Sequence, residues 1–263
     1  MLNTATFVNK KPVIRIIGVG SGGHNMANFI HAQKLQGIDK TVSFINLKAL
    51  EDEAVKAPRP ISYIDPRKLQ LKTINDDREY HRIKSERSQF VGLVHLESTK
   101  VAEVPDAIIE PPSPPEDIPE IDNHAIEQAL EGADVIFIVM ELGEPFSVTV
   151  APLIADIAKK QGTLTICIGN YPFPFQGHNR QLWAQETIDK LTTCSDIVLP
   201  IGIEKILFNL GNETSLAKCF GLVDEIAYTL IKSIIQFIEN YDLGMTNKME
   251  LASKIKIITH HFL

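Results

Sequence analysis

The sequence has little that would place the protein in a membrane or on nucleic acid. Acidic residues outnumber basic ones by 33 to 26, which gives a formal net charge of −7 over 263 residues. No apolar run is long enough to span a bilayer, and the first residues, MLNTATFVNKK, do not have the form of a signal peptide. Non-specific nucleic-acid binding needs a basic stripe, which is absent here. We therefore expect a cytoplasmic protein with no membrane span and no nucleic-acid partner.

Cysteine is also scarce, and neither cysteine nor histidine is spaced as in a metal site. The three cysteines, Cys167, Cys194 and Cys219, are scattered in apolar contexts, which predicts buried free thiols in a reducing compartment. The eight histidines show no ligand spacing. The sequence thus predicts no metal held by protein ligands.

What remains is the composition of a globular chain, with 44% hydrophobic and 22% charged residues. From residue 123 onwards, apolar runs of strand length alternate with amphipathic runs of helical length. This order predicts an α/β fold of three layers, with a mainly parallel sheet covered by helices on both faces. The predicted strands are 134–140, 163–168 and 197–199. The predicted helices are one that Asn123 caps and that runs through Leu130, and then 150–161, 181–192 and 213–240.

Residues 13–30, VIRIIGVGSGGHNMANFI, are an apolar strand, a glycine turn and an amphipathic helix for which Gly37 is the predicted stop. Glycines in such a turn bring backbone N–H groups close to a ligand, and the helix directs its positive end at an anion. The turn predicts phosphate binding. The alternative is a turn whose glycines only let the helix pack on the sheet.

The same glycines satisfy G-x-G-x-x-G, the dinucleotide fingerprint, which also demands an acid at the end of the second strand. The predicted second strand, 42–45, is followed by Asn46 instead. A dehydrogenase-type protein is therefore the weaker alternative.

Residues 56–121 lack a clear pattern. A charge-dense run at 76–87 predicts a solvated helix face, and 90–96 has strand character. Six prolines among acidic residues then predict an extended acidic loop between 103 and 122. We expect this irregular, proline-rich insertion to be a surface excursion, with a role in partner binding as the alternative.

Two segments resemble FtsZ, the bacterial relative of tubulin. GVGSGGHNMAN, at 18–28, is similar to its first nucleotide loop, in which two asparagines three apart follow the glycines. Residues 132–180 are similar to the segment from the strand before the tubulin signature loop to the ribose-contacting loop. The resemblance implies the FtsZ nucleotide-domain fold with a long central helix, GTP or GDP as ligand, Mg²⁺ with it, and self-assembly or an FtsZ-like partner.

The resemblance also implies nucleotide contacts for particular residues. Gln176 stands where the family has a ribose-binding acid, and Asp224 and Glu225 stand where it has the Asn-Asp that contacts guanine. Both acids have ordinary helix solvation as their alternative role. The candidate nucleotide-binding residues are Gly18, Gly20, Ser21, Gly22, Gly23, Asn25, Asn46, Gly143, Gln176, Arg180, Phe220, Asp224 and Glu225.

The sequence differs from FtsZ at the residues that bind phosphate and at those that polarise the attacking water. The signature loop GGGTGTG is replaced by Gly143-Glu-Pro-Phe-Ser-Val-Thr149, in which only the first glycine remains. Pro145 lacks an N–H, and Glu144 adds negative charge near the expected phosphates, although its side chain has the alternative of turning outwards. Of the two family acids that polarise water, at most one remains, with Glu250 and Asn247 as the candidate catalytic residues.

We therefore expect residues 1–240 to form an FtsZ-like nucleotide-binding domain. Residues 241–263 would form a loop and short helix, and the second FtsZ domain is expected to be absent. The predicted function is a guanine-nucleotide-binding protein of the cell-division or cytoskeletal type with degenerate GTPase machinery. The alternative is a scaffold of the same fold that neither binds nor hydrolyses nucleotide and acts through protein partners.

Overall fold

The computed structural model describes residues 11–46, 69–73, 123–173, 176–203, 216–240 and 248–259. These ranges contain six strands and six helices. The strands are β1 (Ile14–Val19), β2 (Ile38–Asn46), β3 (Leu69–Thr73), β4 (Val135–Glu141), β5 (Leu164–Asn170) and β6 (Ile197–Ile201). The helices are α1 (Gly20–Ala32), α2 (Asn123–Leu130), α3 (Pro145–Lys160), α4 (His178–Cys194), α5 (Leu216–Asn240) and α6 (Lys248–Thr259).

The strands form one sheet in the order β3-β2-β1-β4-β5-β6. Five of them are parallel, and β3 pairs antiparallel with β2 at one edge. All seven residues of β4 and of β5 are buried, which explains their almost unbroken apolar sequences. The prediction of a mainly parallel sheet is confirmed.

Helices cover both faces of the sheet, as predicted. One core includes Met26 of α1, Val223 of α5 and Ile255 of α6 with one face of β1, β4 and β5. The other includes Ile126 of α2 and Ile154 of α3 with the opposite face. The sheet is therefore the middle layer of three.

Helix α5 is the long helix that was predicted, and it runs in the same direction as α1. The Phe29 and Tyr228 rings meet edge to face, with 6.3 Å between centroids. Further along, Gly37 lies against Ile235 and Glu239. Because α1 starts at the carboxyl end of β1, this alignment brings the first turns of α5 to the same end of the sheet.

Helix α6 is attached to the opposite end of the sheet. Lys248 Nζ lies 2.9 Å from Asp196 Oδ2, just before β6, and donates to the Thr163 carbonyl at 2.5 Å, just before β5. Asp196 Oδ2 also accepts from the Thr165 N–H at 2.8 Å. The start of α6 therefore lies at the amino ends of β5 and β6.

Several predicted boundaries differ from the structure. Helix α3 begins at Pro145 rather than at 150, since proline is favoured in the first turn of a helix. Helix α1 ends at Ala32, and Gly37, with φ +90°, instead serves the turn into β2. Strand β3 falls inside the segment that was expected to be irregular. The predicted charged helix face, the 90–96 strand and the proline-rich loop lie outside the described residues.

Two general expectations can be compared with the structure. Cys167 and Cys219 are buried free thiols, whereas Cys194 is only half-buried. Among the described helices, none combines the length and the apolar character that crossing a bilayer requires.

Candidate nucleotide site

The predicted site residues of the glycine turn lie where the sheet order changes direction. Strands β1 and β4 are neighbours, and the chain leaves them in opposite lateral directions, to β2 and to β5. Parallel α/β sheets bind ligands at such a switch point, outside the carboxyl ends of the strands. Val19 is paired with Met140 at this edge, so the loops after β1 and β4 lie side by side.

Strand β1 continues directly into α1 through Gly20. Gly20 has φ +72°, a conformation that favours glycine, and the preceding residue, Val19, makes no side-chain cap to the helix. Gly23 serves packing: a Cβ there would lie 2.3 Å from the Val139 carbonyl oxygen. A Cβ on Gly18 would lie 2.5 Å from the Gly23 carbonyl oxygen, and one on Gly22 would lie 2.5 Å from Glu141 Cβ. The glycines thus let α1 pack closely on β1 and β4, which is the packing role that was considered as the alternative. Val19 provides no side-chain cap, so the first N–H groups of α1 are left for another acceptor.

The Glu144 carboxylate occupies the amino end of α1. Its Oε1 accepts from Ser21 Oγ at 2.6 Å and from the Gly22 N–H at 3.3 Å. The residue is 2% exposed, and its Oε2 lies 2.1 Å from where a Cβ on Gly20 would be. Of the two directions considered for Glu144, the structure shows the inward one. A protein carboxylate therefore sits where helix geometry would favour a phosphate.

Glu144 is held there by the start of α3. It has extended backbone angles, φ −76° and ψ 145°, which a residue before proline prefers, and its carbonyl accepts from the Val148 N–H at 3.2 Å. Burial, and after it the Glu141 carboxylate, raise the pKa of Glu144, whereas Arg180, Ser21 and Gly22 lower it; together they bring it to about 7.

A second buried carboxylate, Glu141, engages the residues predicted to contact ribose. Its Oε1 accepts from Gln176 Nε2 at 2.7 Å and from Arg180 Nη1 at 3.3 Å. Gln176 Oε1 in turn accepts from the Phe173 N–H at 2.6 Å. The glutamate and arginine side chains are 7% and 8% exposed. In this structure both polar atoms of the Gln176 side chain and the Nη1 atom of Arg180 are therefore bonded within the chain.

Glu141 was missed by the sequence analysis. It was placed beyond the end of a predicted strand, whereas it is the last residue of β4 and is fully enclosed. The sequence does contain a pattern that could have indicated Glu141. Two glutamates, three residues apart, follow an apolar run next to the loop in which the related family has glycines.

Gly143 lies between the two glutamates and is closely packed. It has φ +80°, and a Cβ there would lie 2.2 Å from the Arg180 carbonyl oxygen. This glycine therefore fits the signature loop against the start of α4. Ser147 donates from its hydroxyl to the Glu141 carbonyl and fixes the other side of the loop.

Three polar residues of α1 are buried behind the turn. His24 Nε2 and Asn28 Nδ2 are 2.8 Å apart. Asn25 is 7% exposed, and its Oδ1 and that of Asn28 find no hydrogen-bond partner within the described part of the chain. Asn25, a predicted nucleotide contact, thus lies one turn beyond Ser21 with an unused acceptor.

The predicted base-contacting residues are on the first turns of α5. The Phe220 ring meets the buried Phe173 ring edge to face at 4.8 Å between centroids. Asp224 is 9% exposed, whereas Glu225 is exposed. Phe29 and Tyr228 are in contact, so the parallel helices place Asn25 and Asp224 at matching levels one turn earlier. Asn46 ends β2 at the same edge of the sheet.

The candidate catalytic residue Glu250 lies elsewhere in the fold. Glu250 is exposed in the first turn of α6, where it pairs with Lys254 at 2.7 Å. That turn is attached to the amino ends of β5 and β6, so Glu250 is at the opposite end of the sheet from Glu144. Asn247 lies outside the described residues. Within a single chain, Glu250 therefore does not lie near the α1 turn.

Comparison with known proteins agrees with this fold. A family model described as the tubulin/FtsZ family GTPase domain matches residues 113–209. The cell division protein FtsZ of Pseudomonas aeruginosa is 28% identical over 235 residues, which are 89% of this chain and 50% of that protein. Cell division protein FtsZ 2 of Rhizobium meliloti is 26% identical over 228 residues, 87% and 55% of the two chains. The chain thus spans about half the length of the curated relatives it matches.

Two solved structures share the fold. An empty FtsZ dimer from M. jannaschii superposes with a TM-score of 0.56 at 19% identity, covering 88% of this chain and 57% of the other. CetZ2 from Haloferax volcanii, in a GTPγS-bound protofilament, gives 0.54 at 15% identity, covering 88% and 60%. The solved structures show that the chain has the tubulin/FtsZ fold, and the family model and the relatives support a divergent FtsZ-like protein.

Proposed function

We propose that this protein is an FtsZ-type guanine-nucleotide-binding protein of cell division or the cytoskeleton, acting in the cytoplasm, whose GTPase machinery is degenerate. The observation that carries the proposal is the Glu144 carboxylate on the amino end of α1. Ser21 and Gly22 still present the donors of a phosphate site, but the chain supplies its own carboxyl oxygen to them. Nucleotide must displace Glu144, so binding is weaker than in a site that is free.

Turnover is expected to be absent, for a separate reason. At most one of the two family acids remains, and this candidate, Glu250, is paired with Lys254. Glu250 lies at the far end of the sheet from the α1 turn. FtsZ-like assembly would bring such an end to a neighbouring chain, and we propose self-assembly or an FtsZ-like partner on that basis. The altered signature loop would still lack the amides that the family uses around the phosphates.

The experiment is a calorimetric titration of GDP and GTP into the wild-type chain and Glu144→Ala. Removing the competing carboxylate is expected to strengthen GDP binding at least tenfold, because Ser21 and Gly22 then lose their internal acceptor. Gly20→Val is expected to abolish binding. Gly132→Val is its matched control, since Gly132 also has positive φ, +74°, but has open space around its Cβ position. An unchanged GDP affinity in Glu144→Ala would show that Glu144 does not compete.

One observation favours a second candidate, the scaffold that does not bind nucleotide. Gln176 and Arg180 are both bonded to Glu141, so the ribose side of the site is also filled from within. In that case neither the wild-type chain nor Glu144→Ala would bind GDP at millimolar concentration. The search for function would then move to protein partners.

A further inference from the structure

The Glu144 carboxyl group has hydrogen-bond donors on only one of its oxygens. Oε1 receives both Ser21 and Gly22, whereas Oε2 is buried beside Gly20 and has no hydrogen-bond partner within the described residues. An ionised carboxylate offers about four acceptor sites, and burying it with some of them unused is costly. The enclosed position is therefore better suited to the neutral acid than to the anion.

The charged groups around Glu144 reinforce this preference. From β4, Glu141 presents a second carboxylate, and from α4 Arg180 presents the cation that Glu141 already binds at 3.3 Å. Helix α1 contributes Ser21 and Gly22, and its buried His24 is engaged with Asn28 one turn further on. Two carboxylates thus share one guanidinium, so a proton on Glu144 relieves their repulsion.

We propose that a phosphate-bearing ligand enters the α1 site only when Glu144 leaves it as a solvated carboxylate, so that ligand binding releases a proton. The buried acid loses its proton to the buffer, the carboxylate moves into water, and the ligand oxygens take over the Ser21 and Gly22 donors. This inference rests on the proposed function, because it concerns how nucleotide reaches the same site.

The direction of the pH effect follows from the two positions of the carboxyl group. Burial raises the pKa of Glu144 from 4.5 to about 7, and the solvated position restores the ordinary value. The closed site therefore holds a proton between pH 4.5 and 7 that the liganded chain does not. Affinity is expected to rise with pH across this interval and to level off above it, by roughly 20-fold between pH 5.5 and 7.5.

The test is calorimetric titration of GDP at pH 5.5, 6.5 and 7.5, in two buffers at each pH that differ in ionisation enthalpy. The wild-type chain is expected to release most of one proton at pH 5.5 and a minor fraction at 7.5. Glu144→Gln keeps the oxygen that accepts from Ser21 and cannot ionise, so it reports the titration of GDP itself. Glu127→Gln, an exposed acid on α2, is the matched control and should behave as wild type.

The outcomes separate the two proposals. Proton release in the wild type that disappears in Glu144→Gln supports the inference. Equal proton release and an equal pH profile in both would overturn it and leave nucleotide binding standing. Absence of GDP binding in the wild type and in Glu144→Ala, at every pH, would overturn the proposed function and this inference with it.

Discussion

At the scale of single residues, Glu144 links folding to pH. An acid whose pKa is higher in the folded chain than in the unfolded one keeps its proton on folding. Below about pH 4.5 both states are protonated, and no stability is lost. As the pH rises to about 7, the unfolded state ionises first and the free energy of unfolding falls, by about 3 kcal/mol in total if the side chain stays buried.

Glu144→Gln should remove this loss. Urea unfolding at pH 5 and pH 8 is expected to show a smaller decline in the free energy of unfolding for Glu144→Gln than for the wild type. Identical declines would mean that Glu144 leaves its buried position without ligand, or that it ionises there at its ordinary pKa.

Glu141 is expected to matter for stability irrespective of nucleotide. Glu141→Ala removes the carboxylate that the buried Arg180 guanidinium binds at 3.3 Å, which should cost about 3 kcal/mol. Asp156→Ala removes the exposed pair with Lys160 and is the matched control, with an expected loss below about 0.5 kcal/mol. The measurement is urea unfolding, and similar losses for both variants would contradict a buried, energetically important pair.

The residue types at the site were predictable, but their pairing was not. The glycine turn, Gln176 and Arg180 were identified from the sequence, and Glu144 was recognised as a charge beside the turn. The orientation of the Glu144 side chain depends on Pro145, which begins α3, and on its hydrogen bond with Ser21. These two hydrogen-bonded residues are 123 positions apart in sequence. Such a contact leaves no local pattern, and the same holds for Glu141 with Arg180.

At the scale of elements, the closeness of α1 to the sheet depends on Gly23. Gly23→Ala would place a Cβ 2.3 Å from the Val139 carbonyl oxygen, and backbone cannot move aside cheaply. We expect a loss of about 1–3 kcal/mol in the free energy of unfolding.

Gly221→Ala is the matched control for Gly23→Ala. Gly221 is also within a helix, α5, but no atom of the described residues lies within 4 Å of its Cβ position, so alanine should stabilise the chain by about 0.5–1 kcal/mol. Thermal or urea unfolding distinguishes the two. Equal effects at both positions would indicate that helix propensity, rather than packing of α1 on β4, decides the outcome.

The buried strands and α5 were the elements best predicted from sequence. The strands are mostly apolar, and α5 repeats apolar residues at helical spacing over 25 residues. Boundaries were less predictable. The apolar pattern of α3 was recognised from 150 onwards, but its first turn is buried against the loop and carries Pro145 and Phe146. Strand β3 is a short edge strand with one antiparallel neighbour, and five residues contain too little periodicity to reveal it.

At the scale of the whole molecule, the two ends of the sheet carry different chemistry. The α1 turn with Glu144 is at the carboxyl ends of the strands, and Glu250 is at the amino ends, separated by a strand length of roughly 20 Å. We expect phosphate release from GTP to stay at the rate measured without protein, at both low and high chain concentration. A rate per chain that rises with concentration and is lost in Glu250→Ala would instead show hydrolysis between neighbouring chains.

The inward Glu144 also means that the site carries a permanent internal competitor. A tethered group acts at an effective concentration that does not change with dilution, in the millimolar range or above for short tethers. The amino end of α1 is therefore satisfied from the moment the chain folds, whatever nucleotide the surroundings contain. Folding of this domain should need no ligand, and nucleotide should raise its melting temperature only at concentrations that reach the apparent dissociation constant weakened by this competition.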